Sequence, residues 1–167
     1  MITVLAGGTG SVKLVRGLVA QEKKVNVISN VGDNYWLYGL YVCPDIDTII
    51  YGLADLLDQD KGWGIKKDTF NFKRQMEVFG EETWFGVGDR DAATHLIRTN
   101  MLKNGRNLSD ITKWMCEKFA VTANFLHIHL VMSLRFFPFF NIFVLIKCVA
   151  ASLSPTPNHV SSPNTSI

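Results

Sequence analysis

A short glycine turn near the start of the chain, Leu5-Ala6-Gly7-Gly8-Thr9-Gly10-Ser11, restricts the fold more than any other stretch. An apolar β-type run, Ile2 to Ala6, enters it. A helical pattern leaves it at once: Val12, Val15, Leu18 and Val19 share one face, with Lys13 and Arg16 off it. Strand, glycine turn, helix is how an α/β protein offers backbone N–H groups and the positive end of a helix to a phosphate. The pattern lacks the Gly-Lys-Ser/Thr of the Walker loop. It also lacks the full dinucleotide fingerprint, because no glycine follows Gly10 until Gly17. On this stretch alone two readings stand, a phosphate cradle and a tight βα turn that binds nothing.

Lys24 to Ser29 alternates apolar and polar positions and is expected to be a second strand. Residues 2–29 would then form a βαβ unit with a parallel sheet and a right-handed crossover. The second strand runs into Asn30-Val31-Gly32-Asp33-Asn34, a turn at the carboxyl edge where open α/β sheets bind ligands. The chain has 167 residues, 47% of them hydrophobic, enough for one domain with a core. Its net charge of +2 is spread without a basic stripe, which argues against a nucleic-acid partner. The three cysteines, Cys43, Cys116 and Cys148, are far apart and form no C-x-x-C pair. Met1 runs straight into the first strand without a signal-type segment, so a reducing, cytoplasmic setting is expected.

Tyr35 to Val42 is aromatic and reads as partly packed chain, and Pro44 as an interruption of regular structure. A helix is expected after Asp47, with Ile49, Ile50, Leu53, Leu56 and Leu57 on one face and Asp47 as its N-cap. Asp45 and Asp47, two residues apart beside a glycine loop, also suit a Mg²⁺ ion bound to a polyphosphate. Gly62-Trp63-Gly64 is either a packed corner or an aromatic platform. A helix over Asp68 to Phe79 should stop at Gly80, and Trp84 to Val87 reads as a short strand. The helix from Ala92 to about Lys103 would bury Ala93, Leu96, Ile97 and Met101. Its other face carries Asp91, His95 and Arg98, either a solvated salt-bridged face or an anion-recognition face. Ser109 would cap a last helix burying Ile111, Trp114, Met115 and Phe119.

Taken together, residues 1–123 resemble the 2-phospho-L-lactate transferases of deazaflavin coenzyme biosynthesis. The match is carried by Gly7-Gly8-Thr9-Gly10 with Lys13 and Arg16-Gly17-Leu18, by Asn30-Val31-Gly32-Asp33, by Gly39-Leu40 and by Cys43-Pro44-Asp45-Ile46-Asp47-Thr48. It continues through Gly62-Trp63-Gly64, Asp68-Thr69-Phe70, Glu82-Thr83-Trp84-Phe85 and the stretch from Gly88-Asp89-Arg90-Asp91 to Thr99. The resemblance implies a Rossmann-like three-layer α/β fold with a parallel sheet. It also implies a Mg²⁺-assisted reaction in which a phospholactyl or phosphoenolpyruvyl group passes from its guanosine diphosphate adduct to a deazaflavin hydroxyl, releasing GMP. Gly7, Gly8, Thr9, Gly10 and Lys13 would hold the nucleotide. Asp33, Asp45 and Asp47 would hold the metal, with Asp45 and Asp47 as catalytic carboxylates. Asp47, Gly86, Asp89, Arg90, His95 and Arg98 would meet the deazaflavin or its phosphate side. A homodimer is the oligomer the resemblance suggests.

The chain departs from that pattern at Asn34, where a second acid is usual, at Tyr38, where many members have His, and at Gly86, where some have Lys. After Ala123 the resemblance stops. Asn124 to Ile167 holds a long apolar run, Leu130 to Ala151, and then a Ser/Pro-rich end expected to be disordered. Arg135 and Lys147 inside that run argue against a membrane span. The tail reads as a foreign end on an apparently truncated transferase. Two alternatives remain: a binding-only or inactive fragment, and another nucleotide-binding α/β protein.

Overall fold

The glycine turn lies between β1 (Ile2–Ala6) and α1 (Gly8–Gln21), and β2 (Val25–Ser29) returns beside β1. The computed structural model describes residues 2–21, 25–121 and the strand 145–146. β1 and β2 pair in parallel from Ile2↔Val25 to Ala6↔Ser29, which is the expected βαβ unit. β5 (Leu145–Ile146) pairs antiparallel with the other edge of β1, giving the order β2-β1-β5. The sheet is therefore mixed rather than parallel throughout. Pairing on that side satisfies backbone groups that an open edge of β1 would leave unpaired. The other expectations for residues 124–167 lie outside the described residues. Among the described residues no helix is long and apolar enough to cross a membrane.

Residues 35–42 are partly buried, as expected, and form a hairpin, β3 (Tyr35–Leu37) with β4 (Leu40–Val42), that the sequence reading did not specify. Its two-residue turn, Tyr38-Gly39, has positive φ at both positions, as a type I′ turn requires. The Tyr38 hydroxyl donates to the carbonyl of Glu82 and so ties the hairpin tip to a distant loop.

α2 (Pro44–Leu53) begins four residues earlier than expected. Pro44 does not interrupt it; it takes the first helical position, where its missing N–H is no loss. Asp47 is then inside the first turn and not its cap, and Leu56 and Leu57 lie beyond the helix end. α1 packs on α2 so closely that a Cβ on Gly52 would sit 2.2 Å from Val12 Cγ1. Val4, Val15, Val27, Ile46, Ile49 and Ile50 fill the core between these elements.

α3 (Asn71–Val78) is shorter than expected, and Gly80 ends its turn at φ +83°. No strand forms over 84–87; Trp84 and Phe85 instead pack on the ring of Tyr35 at 6.4 and 5.4 Å. α4 (Asp89–Lys103) starts at Asp89 and faces the opposite way from the apolar reading. Leu96 and Ile97 are exposed, while Asp91, Thr94, His95, Arg98 and Thr99 are buried. α5 (Leu108–Lys118) is capped by Asn107, whose side chain accepts from the N–H of Asp110 at 2.8 Å, and not by Ser109. Ile111 and Met115 are buried as expected.

Candidate active site

The first turn of α2 presents two carboxylates to two different places. Residues two apart on a helix do not share a face, and Asp45 and Asp47 diverge accordingly. Asp45 reaches the glycine turn. Its Oδ1 accepts from the N–H of Gly8 at 2.5 Å, and its Oδ2 accepts from Asn30 Nδ2 at 3.0 Å. A Cβ on Gly7 would stand 2.8 Å from that Oδ2, so glycine is required for the approach. Asn30 Nδ2 also reaches Asp33 Oδ1 at 3.2 Å, while Asn30 Oδ1 accepts from the N–H of Gly32 at 2.9 Å.

One amide thus gathers Asp33 and Asp45. Asp33 keeps one side open to water, but crowding around its carboxyl and then the charge of Asp45 push it up to about 6. Burial raises Asp45 as well, opposed by the hydrogen bonds from Asn30 and Gly8. Two hard oxygen donors that repel each other beside a phosphate-type turn fit a divalent cation. Asp47 does not join them. Gly8, Thr9 and Gly10 begin α1, with the N–H of Gly8 given to Asp45, and Lys13 projects to solvent.

Asp47 lies on the other side, only 4% exposed, against the fully buried Arg98. Arg98 Nη1 donates to Asp47 Oδ2 at 3.0 Å and Nη2 donates to Oδ1, a two-pronged pair. Nη1 also reaches the carbonyl of Tyr41 at 3.3 Å and lies 3.3 Å from His95 Nδ1. His95 Nε2 is 3.4 Å from Asp91 Oδ1, which accepts from the Tyr51 hydroxyl at 2.7 Å. Burial alone would raise Asp91; the pull of His95, Tyr51 and Arg98 outweighs it and holds the carboxyl below its ordinary range. These pairings let the polar face of α4 be the buried one. Asp47, Asp91 and His95 each bring a ligand-type atom within 4.8 Å of the others, but Arg98 already neutralises Asp47.

Above this polar floor opens a cavity of about 420 Å³. Asp47, Tyr51, Asp91 and His95 line its base, and Trp63, Trp84 and Phe85 its walls. Gly86 is also at the wall. A Cβ there would come 2.5 Å from Trp63 Cη2, so the missing side chain makes room for the indole. Trp63 meets Phe70 edge to face at 6.5 Å. The Trp63 loop also approaches the glycine turn: a Cβ on Gly62 would be 3.3 Å from the Thr9 methyl.

Asp47, Gly86 and His95 therefore converge on the cavity, with Arg98 directly beneath. Asp89 and Arg90 stand apart from it. Asp89 accepts from Thr69 Oγ1 at 2.5 Å, Asn71 Nδ2 at 2.8 Å and the N–H of Phe72 at 2.7 Å. Those bonds, led by Thr69, hold it at about 2. Arg90 is exposed and reaches the carbonyl of Lys66 at 3.4 Å. Sequence reasoning put Asp91 on the possible anion-recognition face with His95 and Arg98 but gave no site role to Asn30, Tyr51, Trp84 or Phe85. Asn30, Trp84 and Phe85 do lie in the stretches that carry the resemblance, and Tyr51 carried no signal.

A parallel βαβ unit with carboxylates at its glycine turn and an aromatic cavity beside them is the layout of an α/β ligand-binding protein. The chain matches the 2-phospho-L-lactate transferase CofD family over residues 2–128 and belongs to it. It is 44% identical over 120 residues to a phosphoenolpyruvate transferase of Streptomyces avermitilis, covering 70% of this chain and 38% of that protein. It is 36% identical over 137 residues to a phosphoenolpyruvate transferase of Mycolicibacterium smegmatis, covering 75% of this chain and 42% of that one. The chain thus spans about two-fifths of the length of the curated relatives it matches.

Proposed function

We propose that this chain provides the substrate-binding half of a transferase that moves a phosphoenolpyruvyl or phospholactyl group from a guanosine diphosphate adduct to a deazaflavin hydroxyl, releasing GMP. The names of the relatives favour the phosphoenolpyruvyl donor. One observation carries the reading. The first turn of α2 sends Asp45 to the glycine turn and Asp47 to the aromatic cavity, so two substrates bound on either side would meet at that turn.

On the glycine side, the N–H groups at the start of α1 would receive the diphosphate, with Gly8 exchanging its bond to Asp45 for a phosphoryl oxygen. Asp33 and Asp45 would hold Mg²⁺, which supplies neutralisation of phosphoryl charge when bound. On the other side, Trp63, Trp84 and Phe85 suit the faces of a flat ring system. Asp47, fixed by Arg98, would accept a hydrogen bond from the acceptor hydroxyl and aim its oxygen at the donor.

Calorimetry of GDP binding with and without Mg²⁺, repeated on Asp45→Ala, tests the nucleotide side. Mg²⁺-dependent binding lost in the variant supports the reading. Binding indifferent to both Mg²⁺ and the substitution, or none in a folded chain, defeats it.

A further inference from the structure

The aromatic wall of the cavity has little backbone support of its own. Residues 82–87, which carry Trp84, Phe85 and Gly86, form no helix or strand. They also make no backbone–backbone hydrogen bond among the described residues. Two side-chain bonds hold the start of this segment. Thr83 Oγ1 donates to Glu77 Oε1 at 2.6 Å, a tie to the end of α3 only six residues away. The Tyr38 hydroxyl donates to the carbonyl of Glu82 from the hairpin tip, 44 residues away in sequence. The same hairpin supplies Tyr35, whose ring packs on Trp84 and Phe85.

The backbone at Tyr38 points to the same contact. Its φ is +52°, at a turn position where Asn, Asp or Gly is usual. A bulky side chain in the left-handed region is strained there. Such strain persists where surrounding contacts hold it, and it gathers at functional sites. The contacts here are the Glu82 carbonyl and the ring of Phe72, met edge-on at 6.1 Å.

We propose that Tyr38 is a positioning residue for the cavity. Its hydroxyl anchors the backbone at Glu82 and so sets Trp84 and Phe85 at the spacing from Trp63 that a flat ring ligand needs. Tyr38 is not part of the cavity lining and acts only through the wall. That the ligand is a deazaflavin rests on the proposed function; the anchoring of the wall does not.

Labelling the full chain with 5-fluorotryptophan gives a ¹⁹F resonance for each of its four tryptophans, with Trp84 assigned by its loss in Trp84→Phe. Tyr38→Phe keeps the ring against Phe72 and deletes the hydroxyl. Its Trp84 resonance should move toward the position it takes in urea, while that of Trp114, on α5, stays in place. Deazaflavin affinity, read by calorimetry, should fall about fivefold, the worth of one hydrogen bond. Affinity for GDP with Mg²⁺ should not change. Installing 4-aminophenylalanine at position 38 returns a donor and should restore both signals. Tyr38→Asn suits the turn and should melt no lower than Tyr38→Phe, yet leave Trp84 as loose.

A Trp84 resonance that does not move in Tyr38→Phe overturns the anchor, whatever the affinities. A moved resonance with unchanged deazaflavin affinity overturns the positioning role. Affinity that follows melting temperature across the variants, with no rescue by the amine, makes Tyr38 merely structural and overturns it too. A wild-type chain that binds no deazaflavin defeats the acceptor reading instead, and the ¹⁹F resonance alone then decides the anchor.

Discussion

Arg98 and Asp47 form a buried two-pronged ion pair that locks α4 to the first turn of α2, 51 residues away in sequence. Arg98 is 0% exposed and Asp47 4%, so each holds a charge in the interior that is offset mainly by the other. Removing one partner strands the other. Asp47→Ala should cost about 3–5 kcal/mol of unfolding free energy, the range for orphaned buried charges. The double variant Asp47→Leu/Arg98→Met should recover much of that loss, since apolar replacements of a buried pair are often tolerated. Urea unfolding of the three chains checks both statements. A single variant as stable as wild type would mean that water reaches the pair.

Gly86 and Trp63 set the width of the cavity. The backbone at Gly86 is not in the left-handed region, so an L-residue is allowed there by conformation and excluded only by the indole 2.5 Å from its would-be Cβ. Gly86→Ala should therefore leave the fold nearly as stable but swing Trp63 outward. Tryptophan emission should shift to the red, and affinity for a flat ring ligand should fall about tenfold through lost stacking. Unchanged emission and affinity would place the indole elsewhere in solution.

The βαβ unit was legible because its signals are local: an apolar run, a glycine turn and a 3.6-residue pattern. The spacing put Asp45 and Asp47 together beside the glycine loop; Asp45 does reach that loop, but across 37 residues of sequence, and Asp47 turns away to Arg98. α4 was misread because apolar periodicity assigns Leu96 and Ile97 to the core. What buries the other face is tertiary, namely Asp47 and the Tyr41 carbonyl waiting for Arg98, and the Thr99 hydroxyl accepting from the N–H of Tyr41 at 2.7 Å. The strand expected at 84–87 failed similarly, because Tyr35 offers rings to stack on rather than an edge to pair with. The cavity joins segments around residues 47, 63, 85 and 95, a convergence no local pattern encodes.

Asp33 should make stability depend on pH in a direction opposite to most acids. Its carboxyl sits at about 6 in the folded chain, against about 3.9 for an unperturbed Asp. The folded state therefore holds this proton more tightly than the unfolded chain. The resulting stabilisation is full below about pH 4 and is lost as pH rises through about 6. Asp33→Asn should thus be more stable than wild type at pH 7.5, by about 1 kcal/mol after allowing for solvent screening. It should show no such advantage at pH 4. Carboxyl ¹³C titration locates the group directly, and Asp45→Asn should lower its midpoint by removing the neighbouring charge. A midpoint near 4 in the wild-type chain would refute the crowding of the two carboxylates.

Asp68 and Asp89 exchange caps. Asp68 precedes α3 but accepts from the N–H groups of Arg90 at 3.0 Å and Asp91 at 3.1 Å, at the start of α4. Asp89 begins α4 but accepts from the N–H of Phe72, at the start of α3. Gly88 admits the exchange, since any Cβ there would come 2.3 Å from Asp68 Oδ2. The α4 end of this clasp fixes the direction in which Asp91 and His95 enter the cavity. Asp68→Ala should cost about 1 kcal/mol, the usual worth of an N-cap. It should also weaken ligand binding in the cavity while leaving GDP binding at the glycine turn alone. Asp89 is held at about 2, below its unfolded value, so its contribution is present above about pH 4 and lost as pH falls through about 2. Asp89→Ala should lower the melting temperature at pH 7 and narrow the gap to wild type in strong acid. Melts of the three chains between pH 2 and pH 7 decide it, and a gap that did not shrink toward pH 2 would mean that Asp89 acts through packing rather than through its charge.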